Sequence, residues 1–124
     1  MIDLTLASTR RCEVGAASRA PVVARATLQV LGNLANPAYG PKQLARDMGM
    51  SRRTLYTRLT TAGTTPALLI ARTRLARARD DILQNSRRPL LDIALANGFR
   101  DGASFSRAFR AAYGHAPSCL RRES

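Results

Sequence analysis

The sequence predicts an all-α fold, and its composition and periodicity both support this. Alanine and leucine dominate, and long runs of β-branched residues are absent, a combination that favours helices over strands. Apolar residues recur at three- and four-residue steps in several separate stretches, which is the period of amphipathic helices. With 124 residues, 45% of them hydrophobic, the chain has room for one domain or for two small lobes that share a helix.

The N-terminal region divides into an aperiodic segment and a first helix. Residues 1–20 contain many small or polar residues and little periodicity, so a tail or linker remnant is predicted there. A helix is predicted to begin at Pro21, because the apolar positions that follow it fit a 3.6-residue period. The cluster Asn36–Gly40 breaks the helical pattern, and Pro41 is placed as the first residue of the next helix.

A short pattern then occurs twice: an apolar residue, alanine, three residues, glycine and a second apolar residue. The copies start at Leu44 and Ile93, 49 residues apart. In each copy the glycine, Gly49 or Gly98, follows the last turn of a predicted helix, where a left-handed cap costs glycine little. The pattern is typical of a helix-turn-helix. Because it recurs, two such units are predicted.

The second helix of each unit is predicted to bury one face and to expose the other. Ser51 and Asp101 are placed to act as N-caps, and the first of these helices is predicted over residues 52–62. Apolar pairs four residues apart form the buried faces. These pairs are Leu55 with Leu59 and Phe105 with Phe109. The opposite faces are left free to enter a major groove.

One long helix is predicted to join the units. Thr65 and Pro66 form an N-cap and a first helical residue, and the helical pattern continues to Gln84, roughly 28 Å if straight. The expected buried stripe consists of Leu68, Ala71, Leu75, Ala78 and Ile82. Arginines expected on the other sides are Arg72, Arg74, Arg77 and Arg79. The predicted organisation is a tail (1–20), a first unit (21–65), a linker helix (66–84) and a second unit (85–124).

The charge of the chain favours a polyanionic partner. The net charge of +12 comes from 19 Arg and one Lys against eight acidic residues. Such a surplus strengthens binding to nucleic acid through counterion release. Charge alone is also compatible with a basic protein from an arginine-rich proteome, and the repeated helix-turn-helix pattern decides in favour of nucleic acid.

The sequence offers no candidate for catalysis, metal or cofactor binding. It has no Gly-rich phosphate loop, paired carboxylates or Ser/His/Asp set, and Cys12 and Cys119 lack the spacing of a metal or redox pair. His115, the single histidine, is predicted to be a surface loop residue. The start is too short and polar for a signal peptide, and no stretch approaches the roughly 20 apolar residues of a membrane span. A reduced cytoplasmic compartment is therefore expected.

These motifs resemble the C-terminal DNA-binding domain of the AraC/XylS family of bacterial transcription regulators, over residues 22–121. The second half carries the stronger match, through Gly98, Phe99, Asp101, Phe105, Ser106, Arg107, Phe109, Arg110, Tyr113, Gly114, Pro117 and Arg121. The first half matches through Leu34, Pro37, Leu44, Ala45, Met48, Gly49, Met50, Ser51, Arg53, Thr54, Leu55, Gly63, Thr64 and Pro66. The resemblance implies about seven helices. It departs at Leu120, where an aromatic residue is usual, and at Ala116, where Ser or Thr is usual.

Residues early on the exposed recognition-helix faces are the candidates for contact with bases. These are Arg52, Arg53, Tyr56 and Thr57 in the first unit, and Ser104 and Arg107 in the second. Arginine can pair bidentately with guanine, which favours Arg53, and Arg107 matches the arginine that reaches DNA in resembling proteins. Candidates for the DNA backbone are Ser51, Arg58, Arg100 and Arg110. Because Gly102 and Ala103 offer no hydrogen-bonding side chain, the first unit is expected to read sequence and the second to anchor.

The predicted function is sequence-specific binding of double-stranded promoter DNA in transcription regulation. The alternative is a nonspecific or RNA-directed nucleic-acid binder. Some alkyl-transferring repair enzymes carry a resembling module, but their chemistry needs a zinc-held cysteine cluster and Cys12 stands alone, so no enzyme is predicted. RNA polymerase is a candidate second partner, and no membrane association is expected.

The length leaves two interpretations open. Members of the resembling family usually carry an effector-binding or dimerisation domain ahead of this region, and about 20 residues are too few for one. The chain is then either a stand-alone regulator that binds DNA as a monomer or the C-terminal piece of a longer, dimerising protein. The amphipathic start, Ile2 to Ala7, favours the second interpretation.

Overall fold

A computed structural model describes residues 22–85 and 87–123 of the chain. Within these ranges it has seven helices and no strand, which confirms the predicted all-α fold. The helices are α1 (Val22–Leu31), α2 (Pro41–Asp47), α3 (Arg52–Thr61), α4 (Pro66–Gln84), α5 (Leu90–Ala96), α6 (Gly102–Tyr113) and α7 (Pro117–Glu123). The tail predicted over residues 1–20, the helix start at Pro21 and Cys12 lie outside the described residues.

The two helix-turn-helix turns form as their local sequences dictate. Gly49 and Gly98 have φ angles of 70° and 88°, a left-handed backbone that glycine adopts at little cost. Ser51 caps α3 by accepting a hydrogen bond from the backbone N–H of Thr54 at 3.1 Å. Asp101, three residues after its glycine instead of two, caps α6. The second turn is therefore one residue longer than the first.

Two separate hydrophobic clusters hold the units. The first cluster buries Ala26, Val30, Tyr39, Leu44, Ala45, Met48, Leu55, Leu59, Leu69 and Ile70. The second cluster buries Leu75, Ala78, Ile82, Ile93, Ala94, Phe105, Phe109 and Leu120. The linker helix α4 contributes to both, and it begins and ends where its capping residues predict. The units therefore have a core each and one element in common.

The predicted buried stripe on α4 is wrong in its first half. Leu68 is 40% exposed, whereas Leu69 and Ile70 are buried. At 100° per residue, the buried positions of the first half (66, 69 and 70) and those of the second half (75, 78 and 82) centre on faces roughly 150° apart. A single stripe cannot serve both units, because the first and second units pack against nearly opposite sides of the helix.

The expectation for His115 is also wrong in part. The residue lies after α6 as predicted, but it is only partly exposed, and its ring centroid is 5.7 Å from that of Phe109. Phe109 also packs against Tyr113, with ring centroids 4.6 Å apart. His115 therefore covers one end of the second hydrophobic cluster.

Candidate nucleic-acid interface

The exposed face of α3 is built by the helical period. Leu55 and Leu59 are fully buried, and their mean direction defines the inner side of the helix. At 100° per residue, Arg53 lies roughly 140° and Thr57 roughly 180° from that direction. Both are exposed. The helix has no acidic residue, so nothing on this face opposes a phosphate backbone.

Arg52 and Tyr56 flank this face on the side nearer to α4. Both are exposed, Tyr56 to 55%. Together with Arg53 they line an open groove of about 690 Å³ that also touches Thr65 and Pro66 at the start of α4. Three of the four base-reading candidates of the first unit, Arg52, Arg53 and Tyr56, therefore share one groove, and Thr57 lies exposed outside it. Their contact with bases stays a prediction.

On α6, Arg107 lies at the centre of the exposed face. At 100° per residue it points roughly 180° from the direction of the buried Phe105 and Phe109. Its Nη2 donates to the hydroxyl of Ser104 at 3.5 Å, so the two polar candidates of this unit contact each other. Ser104 is only partly exposed. Ala103 completes the early part of this face without a polar group.

Asp101 is held in its charged form at the start of α6. Its carboxylate accepts a hydrogen bond from the backbone N–H of Ser104 at 2.7 Å. This bond, a second from the Ser104 hydroxyl and the positive charges of Arg107 and Arg100 lower the pKa of Asp101 below its ordinary value. The interpretation of Asp101 as a cap is confirmed.

The candidates for contact with the DNA backbone lie around these two faces. Ser51, Arg58, Arg100 and Arg110 are all exposed. Ser51 and Arg100 lie at or just before the N-termini of α3 and α6, where helix dipoles favour anions. Arg58 and Arg110 lie in the last turns of those helices. An arginine therefore lies in the last turn of each helix, and Arg100 adds a positive charge just before α6.

Two residues that position the units on α4 were not predicted from the sequence. Asn97 is buried, and its Nδ2 donates to Asp81 on α4 at 2.9 Å and to the carbonyl of Ile93 at 2.8 Å. Arg74 was expected on an outer side of α4, yet it is half-buried. Its Nη2 donates to the carbonyls of Asn36 and Tyr39, at 2.9 and 3.1 Å. The sequence does not reveal these hydrogen-bond partners, because a polar residue in a turn or an arginine on an arginine-rich helix looks the same whether it is paired or exposed.

Other kinds of site find little support in the described part of the chain. Residues 22–85 and 87–123 contain no cluster of three or more His, Cys, Asp or Glu that could hold a metal ion. None of the helices in these ranges combines the length and hydrophobicity that a membrane span needs.

Comparison with known proteins identifies the family. The profile of a family described as "Helix-turn-helix domain", of the AraC type, matches residues 44–123, more than half of the chain. The chain belongs to this family. Its match covers both recognition helices and the linker helix between them. The chain is therefore a DNA-binding domain of the AraC type, and its relatives are bacterial transcription regulators.

Individual relatives agree with this assignment. The chain is 35% identical over 80 residues to the transcriptional activator NphR from Rhodococcus sp.. The aligned region covers 64% of this chain but only 24% of that protein. The chain thus spans about a quarter of the length of this curated relative. A crystal structure of an AraC-type transcriptional regulator from Chromobacterium violaceum is 29% identical and covers 86% of this chain and 95% of its own, with a TM-score of 0.75. The DNA-binding domain of AdpA, solved in complex with a target DNA, is 25% identical and covers 84% and 93%, with a TM-score of 0.71.

Proposed function

We propose that the chain binds double-stranded DNA sequence-specifically, as part of a transcription regulator, with α3 and α6 in successive major grooves. The observation that carries this proposal is the pair of exposed faces on α3 and α6, each carrying arginine, each held by its own core and both attached to α4. Successive major grooves on one side of DNA lie roughly 34 Å apart. We expect modest bending of the DNA, because a straight duplex need not match the spacing of two helices fixed on one linker.

The two units contribute differently to this proposal. Arg53 has Arg52, Tyr56 and Thr57 beside it, enough polar groups to read several base edges. Beside Arg107, Ser104 is the other base-reading candidate on α6. We therefore assign sequence reading mainly to α3 and anchoring on the backbone mainly to α6.

Selection of binding sites from a random duplex pool tests this assignment. Arg53→Ala is expected to cost roughly 1–3 kcal/mol on the preferred site and to relax the choice of base at one position. Arg107→Ala is expected to weaken binding evenly across sequences and to flatten the salt slope by about one unit. If Arg107→Ala alters the selected sequence and Arg53→Ala does not, the roles are reversed.

Salt dependence and competition separate this function from its alternative. With about six phosphates contacted, log K against log salt should have a slope of about −5. A slope near zero would contradict the proposed nucleic-acid interface. A nonspecific or RNA-directed binder would yield no preferred duplex in the selection, and competitor RNA would erase its footprint. A footprint confined to half a helical turn would contradict engagement of both units.

A further inference from the structure

Outside the helix that joins them, the two units come into contact beside Gly98. Gly98, in the turn of the second unit, lies against the carbonyl of Leu34 in the loop that follows α1. A Cβ built on Gly98 would clash with that carbonyl oxygen and would stand 2.6 Å from Nε of Arg74. Backbone from the second unit therefore packs directly on backbone from the first, and only a residue without a side chain fits between them.

Arg74 lies at the same point. At 100° per residue it projects between the two buried faces of α4, roughly 80° from each. Its Nη2 donates to the two carbonyls of the first unit, Asn36 and Tyr39. Its Nε is buried beside Gly98 and has no hydrogen-bond partner among the described residues. Burial also lowers the pKa of Arg74 from its ordinary value.

The equivalent glycine of the first unit provides a contrast. Gly49 ends its helix with the same left-handed backbone as Gly98, yet a Cβ built there would meet nothing within 4 Å. The left-handed cap thus explains Gly49 completely. It explains Gly98 only in part, because the space that Gly98 leaves open is filled by the guanidinium of Arg74.

We propose that Arg74, seated against Gly98, is a positioning residue that locks the two helix-turn-helix units in one relative orientation and so sets the spacing of the DNA half-sites that the chain accepts. The guanidinium holds the loop of the first unit by two hydrogen bonds and supports the turn of the second by contact. Each unit packs on its own face of α4, so a contact that bridges the two faces adds a constraint on the relative orientation of the units. The part of this inference that concerns DNA rests on the proposed function, whereas the locked orientation does not.

The orientation is measured on the protein without DNA, from residual dipolar couplings of its backbone amides. Couplings from α1–α3 and from α5–α7 are each fitted to an alignment tensor. In the wild type both groups should fit one tensor. Arg74→Met keeps the length of the side chain but removes its donors, so the two groups should then require tensors of different magnitude or orientation. Arg77→Met, at an exposed position on the same helix, is the matched control and should retain one tensor.

Substitution of the two glycines separates the lock from a mere loss of stability. Gly49→Ala and Gly98→Ala share the strain of a left-handed alanine, so both should lower the melting temperature. Only Gly98→Ala adds a side chain at the junction and should change the relative orientation of the units. If Arg74→Met and Gly98→Ala both leave a single tensor with the wild-type orientation, the lock is refuted.

The consequence for DNA is tested with duplexes in which the two half-sites are separated by spacers of different length. The wild type should prefer one spacer at least tenfold over spacers one base pair longer or shorter, and Arg74→Met should reduce this preference to within about threefold. If Arg74→Met changes the alignment tensors but leaves the spacer preference unchanged, the claim that the lock sets the half-site spacing is overturned and the lock itself is not. Failure of the wild type to select any duplex would refute the proposed function, and the couplings would still decide on the lock.

Discussion

Replacing Asn97 by alanine should destabilise the second unit strongly, and the size of the effect follows from the two buried hydrogen bonds that are lost. Asn97 is 2% exposed and donates two hydrogen bonds, to the Asp81 carboxylate at 2.9 Å and to the Ile93 carbonyl at 2.8 Å. A bond to a charged group is worth about 1.5–3 kcal/mol and one between neutral groups about 0.5–1.5 kcal/mol. The free energy of unfolding should therefore fall by about 2–4 kcal/mol. Each kcal/mol lost should lower Tm by roughly 4–8 °C.

Asn33 offers a matched control within the same chain. Its side chain donates to the carbonyl four residues earlier, Gln29, at 2.8 Å, as that of Asn97 does to Ile93, but this bond faces solvent. Asn33→Ala should therefore change the free energy of unfolding by no more than about 0.5 kcal/mol. Urea denaturation of both variants measures the difference.

A double-mutant cycle isolates the bond between the turn and α4. Asp81 keeps an ion pair with Arg88 at 3.9 Å when Asn97 is replaced, so its carboxylate retains one partner. The coupling energy between Asn97→Ala and Asp81→Ala should lie between about 1 and 3 kcal/mol. If Asn97→Ala costs no more than Asn33→Ala, or if the coupling energy is below about 0.5 kcal/mol, the buried hydrogen bonds of Asn97 do not stabilise the second unit as proposed.

Three further predictions concern pH and helix ends. The pKa of Tyr39 is raised to about 12 by burial, by the hydrogen bond to Asp47 at 2.9 Å and by the charge of Asp47. The stability that Tyr39 contributes is therefore fully present below pH 10 and is lost as pH rises towards 12. Thermal unfolding should show the advantage of the wild type over Tyr39→Phe vanish in that window, and a constant difference up to pH 12 would contradict it. The lowered pKa of Asp101 has the opposite effect on stability. The wild type should be more stable than Asp101→Ala above about pH 4, and this difference should disappear on acidification. A stability difference that persists at about pH 2 would be inconsistent with a charged cap. Gly102→Ala should raise stability by about 0.4–1 kcal/mol, because the added Cβ meets only Leu91 Cδ1 at 4.0 Å, and a loss in urea denaturation would show that the helix start is tighter than this.

The elements that sequence analysis predicted correctly depend on local chemistry. Ser51 and Asp101 cap the helices that follow them, and Gly49 and Gly98 take left-handed backbone, because those preferences belong to the residue and its neighbours in the chain. The exposure of Arg53 and Arg107 follows from the helical period once the apolar pairs are recognised. Which of them contacts bases stays a prediction, since it depends on the DNA.

The features that could not be predicted depend on where the two units lie relative to each other. Leu68 fits one continuous stripe with Leu75, and nothing in the order of residues reveals that the neighbour changes sides halfway along α4. The same holds for Arg74, one of several arginines on that helix, whose surroundings are set by a loop more than thirty residues away.

The change of sides along α4 makes the two halves of the protein depend on each other for folding. Without the second unit, Leu75, Ala78 and Ile82 would face water, and the last ten residues or so of the helix would have nothing to hold them. Isolated helices of that length are marginal in water, so fraying would run back towards Ile70 and loosen the first core. Either unit expressed without the whole of α4 should therefore be poorly folded, and damage to one should appear as faster amide hydrogen exchange in the other.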